Sequence, residues 1–217
     1  ALSSAASDVY KRQVVYTAAI PLTNPERAEA ERLHIPSMER AELLGQLMRH
    51  YARAIGICGA HGKTTTTGMI TQILIDAGMD PSAIIGGKLP LIGGNGRVGK
   101  SDTIVCEACE YVDTFLQLHP AVSVILNIDA DHLDYFKTVD NIIHSFHQFA
   151  TQTSALIIVN GDDERAMKSV EGITNAKIVT FGFSDKNDYY PAEMNEEDTA
   201  CLLYTSPSHE TGAYLVC

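Results

Sequence analysis

The sequence has few basic residues and no long apolar run, and both absences restrict its function. Lys and Arg total 16 against 27 Asp and Glu, which gives a formal net charge of -11 at pH 7. Such a charge opposes non-specific attraction to nucleic acid or anionic membrane, so an anionic ligand would need a locally positive site. No apolar stretch approaches the roughly 18 residues of a membrane span, and the amino-terminal segment lacks a secretion signal. We therefore expect a soluble, cytoplasmic protein with no nucleic-acid or membrane partner.

Cysteines are also few, and their arrangement does not suggest a disulfide framework. Five cysteines occur at irregular spacing in 217 residues, which favours reduced thiols. Cys106 and Cys109 form a C-x-x-C pattern, but no second pair completes a four-cysteine zinc site. We interpret these two thiols as small packing residues beside a strand end rather than as catalytic groups.

The hydrophobic pattern predicts an α/β protein. Apolar runs at 54–58, 103–106, 122–126, 156–159 and 178–181 alternate with helical segments. This alternation indicates a parallel sheet with helices on both faces. The first helix should begin near Lys63 and end before Gly78, and a later one should span about 139–151. Their predicted apolar faces consist of Met69, Ile70, Ile73, Leu74 and Ala77 in the first, and Ile142, Ile143, Phe146, Phe149 and Ala150 in the second.

The chain divides into four parts. Residues 14–51 contain a strand, a helix that Asn24 and Pro25 should start, and a second helix over about 39–51. We predict that this partial Rossmann-like unit is the tail of an N-terminal domain, and that 52–200 form an incomplete central domain. Segments 1–13 and 201–217 match neither neighbouring pattern, and we expect them to be non-native or disordered.

The stretch "GAHGKTTTT", which begins at Gly59, predicts a phosphate-binding site. It lies between a strand and a helix, so backbone N–H groups and the positive end of the helix dipole should point to one position. Gly59 and Gly62 allow close approach, Lys63 adds positive charge, and the Thr64 hydroxyl suits a Mg²⁺ that bridges phosphates. The motif is shorter than the strict phosphate loop, because Ile57 stands where that form has glycine. The alternative is a glycine–threonine turn that contains a lysine by chance.

Acidic residues follow two later strands. Glu107 ends one of them, where ligands of parallel sheets gather, and its carboxylate could complete a Mg²⁺ shell with Thr64. It could instead only cap the next helix. The following stretch "NIDADHLDYF" places His132 among three aspartates after the next strand. From the residues alone it suggests a general base, a zinc site or a solvated acidic loop.

The segment "GGKLPLIGGNGRVGK", residues 86–100, is rich in glycine. It is predicted to be a mobile loop near the site rather than a regular element, with a surface hairpin as the alternative.

Four stretches in this order resemble the central ATP-binding domain of the Mur ligases: "GAHGKTTTT", "IVCEACEYVDTF", "VILNIDADHLDYF" and "IIVNGDDE". The resemblance covers about residues 14–200 and implies ATP and Mg²⁺ as cofactors. It implies nucleotide contacts from Gly59, Ala60, His61, Gly62, Lys63, Thr64, Thr65 and Asn127, with Asn127 steadying the loop. It also implies metal ligation by Thr64, Glu107 and His132, and catalysis by Lys63, Glu107 and His132.

The resemblance further implies an ATP-driven ligase of peptidoglycan precursor synthesis, acting through an acyl phosphate. His61 favours the branch that joins L-alanine to UDP-N-acetylmuramate, or its muropeptide-recycling relative, and the substrate contacts would be His61, Asn95 and Arg97. Ala60 replaces the family's usual threonine, and the segment after Glu107 departs from the usual acidic cluster. Domains would be missing on both sides, so this chain alone should bind ATP weakly and not ligate. An alternative of another class is a phosphate-loop nucleotide switch.

Overall fold

A seven-stranded sheet lies at the centre of the computed structural model, which describes residues 13–191. The expectations for the two terminal segments, apart from residue 13, lie outside the described residues. The strands are β1 Val14–Tyr16, β2 Ser37–Glu39, β3 Arg53–Cys58, β4 Ser82–Leu89, β5 Gly94–Arg97, β6 Thr103–Glu107, β7 Val122–Ile125, β8 Leu156–Asn160 and β9 Lys177–Phe181. The central sheet has the order β5-β4-β6-β3-β7-β8-β9, and β1 and β2 form a separate parallel pair. All neighbours in the central sheet are parallel except β4 and β5.

Helices cover both faces of the sheet, as the sequence predicts. The helices of the described residues are α1 Pro25–Arg32, α2 Arg40–Met48, α3 Lys63–Asp76, α4 Leu133–Phe136, α5 Val139–Thr151 and α6 Glu164–Ser169. Of these, α1 packs on β1 of the separate pair. Ile57, Val105 and Val124 pack on one face with residues of α3. The next residue of each strand belongs to the cluster that contains the phenylalanines of α5. These residues are Cys58, Cys106 and Ile125. Because successive side chains of a strand point to opposite faces, α3 and α5 cover opposite sides.

Helix α5 has the predicted bounds and nearly the whole predicted face. Ile142, Phe146, Phe149 and Ala150 are buried, and Ile143 is partly buried against them. The Phe149 ring stacks on Phe115 with centroids 4.8 Å apart. A strong apolar repeat with period 3.6 therefore located this helix correctly.

The predicted apolar face of α3 is partly wrong. Met69 is 51% exposed and Ile73 62%, whereas Lys63, Thr67, Gly68 and Thr71 are buried. The hydroxyls of Thr67 and Thr71 donate to the carbonyls of Lys63 and Thr67, at 2.8 and 2.7 Å. These bonds satisfy both hydroxyls inside the protein, so threonines can form the packed side of this helix. The helix ends before Gly78, as predicted, because Gly78 adopts a left-handed φ of 71°.

The glycine-rich segment is regular, contrary to the prediction of a loop, and the alternative hairpin is what forms. β4 and β5 pair antiparallel at the sheet edge, joined by a 3₁₀ turn over Pro90–Ile92. Ala83, Ile85 and Leu89 form a small buried cluster that anchors β4. Glycine weakens strand propensity, but pairing to β6 and burial of these side chains override it.

Residues 14–51 contain the predicted strand and both predicted helices. The Asn24 side chain caps α1 by accepting from the N–H groups of Glu26 and Arg27, at 3.0 and 3.3 Å. Leu44 and Met48 of α2 are buried in the same core as α5, while Leu47 is 44% exposed. The division into domains stays a prediction. Within residues 13–191, none of the helices has the length and apolar character that crossing a membrane requires.

Candidate functional site

A glycine-rich loop joins β3 to α3 at the carboxyl end of the parallel strands. Gly59 and Gly62 have φ values of 143° and 85°, which L side chains rarely adopt. A Cβ on Gly59 would also lie 3.0 Å from the Cβ of Leu126. The first helical bond of α3 runs from the N–H of Thr66 to the carbonyl of Gly62, at 2.9 Å. The N–H groups of the first turn of an α-helix point out of its amino-terminal end, so this end of α3 can bind an anion.

Asn127, just after β7, ties this loop to the sheet. Its side-chain oxygen accepts from the N–H of His61 at 2.8 Å, and its amide donates to the carbonyl of His61 at 3.0 Å. Its backbone carbonyl accepts from the N–H of Ala60 at 3.1 Å. Two loop N–H groups are thus used inside the protein. The N–H groups of residues 62–65 are better placed to bind a phosphate.

Lys63 is buried, and its ammonium folds back onto the loop. Nζ donates to the carbonyls of Gly59 and Ala60, at 2.6 and 3.2 Å. It also lies 3.1 Å from Oε1 of Glu110, whose side chain is 4% exposed. Burial raises the pKa of Glu110, and the neighbouring Lys63 charge opposes that rise. Glu110 was not predicted as a site residue, because the sequence marks it only as an acid three residues after Glu107.

Thr64 and Glu107 meet, although 43 positions separate them. The Thr64 hydroxyl donates to Oε2 of Glu107 at 3.1 Å, and the N–H of Gly86 donates to the other carboxylate oxygen. A Cβ on Gly86 would lie 2.6 Å from Oε2, so the close packing requires glycine there. Oxygen donors of this kind suit Mg²⁺ when phosphate oxygens and water complete the shell.

His132 reaches the loop through Glu110 rather than through Glu107. Its Nε2 lies 3.9 Å from Oε1 of Glu110 and 3.7 Å from Asp131, and its ring centroid is 4.8 Å from that of Tyr111. Its backbone is left-handed, with φ of 53°, where α4 begins. The described residues contain no cluster of three or more His, Cys, Asp or Glu side chains that could hold a metal by itself. Metal ligation by Thr64, Glu107 and His132 therefore stays a prediction, one that includes phosphate oxygens among the ligands.

The exposed acidic segment after Asn127 contributes a second contact with the loop. Nε2 of His61 lies 3.9 Å from Asp129, and Arg165 donates to the same carboxylate at 2.9 Å. The N–H of Ala130 and then Arg165 hold the pKa of Asp129 below its usual value. His61 is half exposed and faces this segment, where a substrate could reach it.

Asn95 and Arg97 both lie on the edge strand β5, and Asn95 is exposed. The Arg97 guanidinium pairs with Asp80, which precedes β4 and so lies toward the amino ends of the parallel strands, away from the loop. Gly94, next to Asn95, pairs with Leu89 at the carboxyl end of β4. The contact of both residues with substrate stays a prediction.

The thiols differ in exposure. Cys58 and Cys106 are buried, and burial raises the pKa of both, that of Cys106 to about 12. Cys109 is exposed, so its interpretation as a buried packing residue was wrong. Cys58 and Cys106 take part in no disulfide in the part of the chain that the structure describes.

A mostly parallel sheet with a glycine-rich loop, a lysine and a threonine at the start of the following helix defines the phosphate-loop class of α/β proteins. The Mur ligase middle domain profile matches residues 57–213, and the catalytic domain profile of the Mur ligase family matches residues 1–52. The chain belongs to the Mur ligase family.

Similar proteins in this family include ligases for L-alanine. The chain is 48% identical over 195 residues to UDP-N-acetylmuramate–L-alanine ligase of Agathobacter rectalis, covering 89% of this chain and 42% of that protein. Identity to the same enzyme of Caldanaerobacter subterraneus is 46% over 193 residues, covering 88% and 42%. The chain thus spans less than half the length of these relatives.

Solved structures resemble the fold closely. UDP-N-acetylmuramate–alanine ligase from Thermotoga maritima matches with a TM-score of 0.70 and 26% identity, over 81% of this chain and 40% of that one. UDP-N-acetylmuramate:L-alanyl-γ-D-glutamyl-meso-diaminopimelate ligase from Neisseria meningitides also gives 0.70, with 25% identity over 79% and 58%.

Proposed function

We propose that the protein containing this chain is an ATP-dependent ligase that joins L-alanine to UDP-N-acetylmuramate in peptidoglycan precursor synthesis. The observation that carries the proposal is the contact between Thr64 and Glu107 beside the buried Lys63, at the end of the loop. Family membership makes amide formation driven by ATP the reaction this arrangement would serve. The relatives at 48% and 46% identity are named as ligases for L-alanine, which favours L-alanine over a tripeptide as the substrate.

The residues present fit ATP and Mg²⁺. Bound ATP would supply the phosphoryl group that activates the muramate carboxylate, and Mg²⁺ would neutralise the phosphates. The N–H groups of residues 62–65 and the Lys63 ammonium would hold the phosphates. Thr64 and Glu107 would hold one cation and His132 a second, while Asn127 keeps the loop in shape.

The chain's own residues would contribute mainly electrostatics and positioning. A carboxylate and ATP repel each other, and the net charge of -11 adds to that repulsion. Lys63 and the N-terminus of α3 create a local positive region in this acidic protein. Transfer of the γ-phosphoryl group from ATP to the muramate carboxylate would give an acyl phosphate and release ADP. Attack by the amine of L-alanine on the acyl carbon would then form the amide bond, break the bond to the phosphate oxygen, and release phosphate and a proton. We place the reaction in the cytoplasm, where ATP is available and thiols stay reduced.

Product formation by the full gene product tests this proposal. UDP-N-acetylmuramate and ATP would be supplied with either L-alanine or the L-alanyl-γ-D-glutamyl-meso-diaminopimelate tripeptide. We expect phosphate release and amide product with L-alanine, and little with the tripeptide. Turnover with the tripeptide but not with L-alanine would identify the protein as a muropeptide-recycling ligase. ATP binding without amide formation from either amine would support a nucleotide switch.

A further inference from the structure

The Lys63 ammonium is committed to acceptors of the protein itself. An ammonium group has three donors, and Nζ lies within hydrogen-bond distance of three oxygens, on Gly59, Ala60 and Glu110. A phosphate that binds the loop can gain a hydrogen bond from Lys63 only if one of these contacts is given up. The identity of the released acceptor therefore affects the affinity for nucleotide.

Glu110 is the acceptor that a phosphate would replace most readily. The carbonyls of Gly59 and Ala60 belong to a loop that Asn127 holds from both sides of His61. The Glu110 carboxylate, in contrast, carries negative charge like the phosphate and would be repelled by it. Its second oxygen, Oε2, is buried and has no hydrogen-bond partner in the described part of the chain.

We propose that Glu110 is a positioning residue that competes with the nucleotide's phosphates for Lys63. Without nucleotide, the carboxylate neutralises the buried ammonium and keeps it folded onto the loop. With nucleotide, phosphate takes over the ammonium, and the carboxylate keeps His132 as a neighbour at 3.9 Å. This inference rests on the proposed function, because it needs a nucleotide in the loop.

Replacing Glu110 by Gln separates this role from a merely structural one. In Glu110→Gln, the buried Lys63 ammonium loses the carboxylate that lies 3.1 Å from it, so the nucleotide-free protein should melt at a lower temperature. ATP then supplies the missing negative charge, and its affinity should rise about three-fold or more. The ATP-induced rise in melting temperature should grow correspondingly. A structural defect would instead weaken ATP binding.

The experiment measures the affinity for ATP with Mg²⁺, and the melting temperature with and without ATP, in the full gene product. Glu171→Gln is the matched control, since it removes the same charge from an exposed position. We expect the control to bind ATP as the wild type does. Adenosine, which lacks phosphates, should bind Glu110→Gln and the wild type equally.

Each other result would overturn the inference. ATP binding by Glu110→Gln that is unchanged or weaker contradicts competition for Lys63. Tighter binding with an unchanged melting temperature of the nucleotide-free protein indicates direct repulsion of phosphate instead. Equally tighter adenosine binding indicates a general change of the pocket.

A second variant tests the inference if Glu110→Gln does not fold, and the wild type separates failure of the inference from failure of the proposed function. If Glu110→Gln does not fold, Glu110→Asp keeps the charge but shortens the side chain, and should bind ATP about two-fold more tightly. Weaker or unchanged binding by Glu110→Asp would then contradict the inference. A wild type that fails to bind ATP would sink the proposed function itself. A wild type that binds ATP, with no gain in the variants, would sink only the role of Glu110.

Discussion

At the scale of single residues, the candidate site depends on contacts between side chains that lie far apart in the chain, such as that of Thr64 with Glu107. Lys63, Thr64 and Glu107 were predicted from the loop motif and from the rule that ligands gather at strand ends, and the structure brings them together. Glu110 could not be predicted, because sequence does not show which of two nearby acids is buried. Arg97 was expected to contact substrate, which stays a prediction; its partner Asp80 lies toward the amino ends of the parallel strands, the end opposite the loop.

Gly86 is predicted to position the Glu107 carboxylate. In Gly86→Ala, the new Cβ would overlap both carboxylate oxygens, at 2.6 and 3.0 Å, and push the side chain away from Thr64. We expect the Mg²⁺ concentration for half-maximal ligation in the full protein to rise about ten-fold, as for other residues that orient metal ligands. Gly94→Ala is the control, since its Cβ would meet nothing within 4 Å. An equal Mg²⁺ dependence in both variants would contradict the prediction.

At the scale of elements, a strong apolar repeat predicted helix bounds correctly, whereas segments rich in glycine or threonine were predicted less well. The phenylalanines of α5 repeat at helical spacing, and its bounds were correct. The hairpin of β4 and β5 was only the alternative to a loop in the sequence analysis, because glycines hide its strand pattern, although Ala83, Ile85 and Leu89 alternate inward. In α3, Thr67 and Thr71 are buried because backbone carbonyls accept from their hydroxyls, which a hydrophobicity pattern does not register.

The loop after β9 is predicted to lose stability in acid through Asp162. Hydrogen bonds from Asn187 and from the N–H groups of Phe183 and Ser184 hold the pKa of Asp162 below its usual 3.8. Because the folded-state pKa is lowered, this stabilisation is present above the unfolded-state pKa and is lost as pH falls through the folded-state value.

Asp162→Asn should therefore melt at a lower temperature than the wild type at neutral pH, and the difference should vanish well below pH 3.8. Thermal melts across this range check the prediction. Asp185→Asn is the control, since it removes an exposed carboxylate from the loop after β9 that Asp162 contacts. A difference between Asp162→Asn and the wild type that stays constant down to the lowest pH would contradict it.

At the scale of the whole molecule, one core joins the amino-terminal unit to the central sheet. Met48 of α2 is fully buried in the cluster that contains Phe115 and Phe149. A Cβ on Gly45 would lie 2.0 Å from the carbonyl oxygen of Gln117, so α2 also approaches the backbone closely. This packing could not be predicted, because nothing in the sequence of α2 identifies its partner.

Met48→Ala is expected to destabilise the whole chain, not only the unit of residues 14–51. Removing a fully buried side chain should cost about 2–5 kcal/mol of the free energy of unfolding. Leu47→Ala, on the exposed side of the same helix, should change it by less than about 0.5 kcal/mol. The test is denaturant-induced unfolding, followed by separate probes in residues 14–51 and in the central sheet. Equal effects of the two variants would show that α2 does not contribute to the common core.

The dependence of ATP affinity on Mg²⁺ tests the central claim most directly. The affinity of the full protein for ATP would be measured with Mg²⁺ and with a chelator, for the wild type, Thr64→Val and Glu107→Gln. If Thr64 and Glu107 hold a cation at the loop, Mg²⁺ should strengthen ATP binding about ten-fold in the wild type and much less in both variants. Binding that Mg²⁺ strengthens equally in all three proteins would contradict a cation held by Thr64 and Glu107 at this loop.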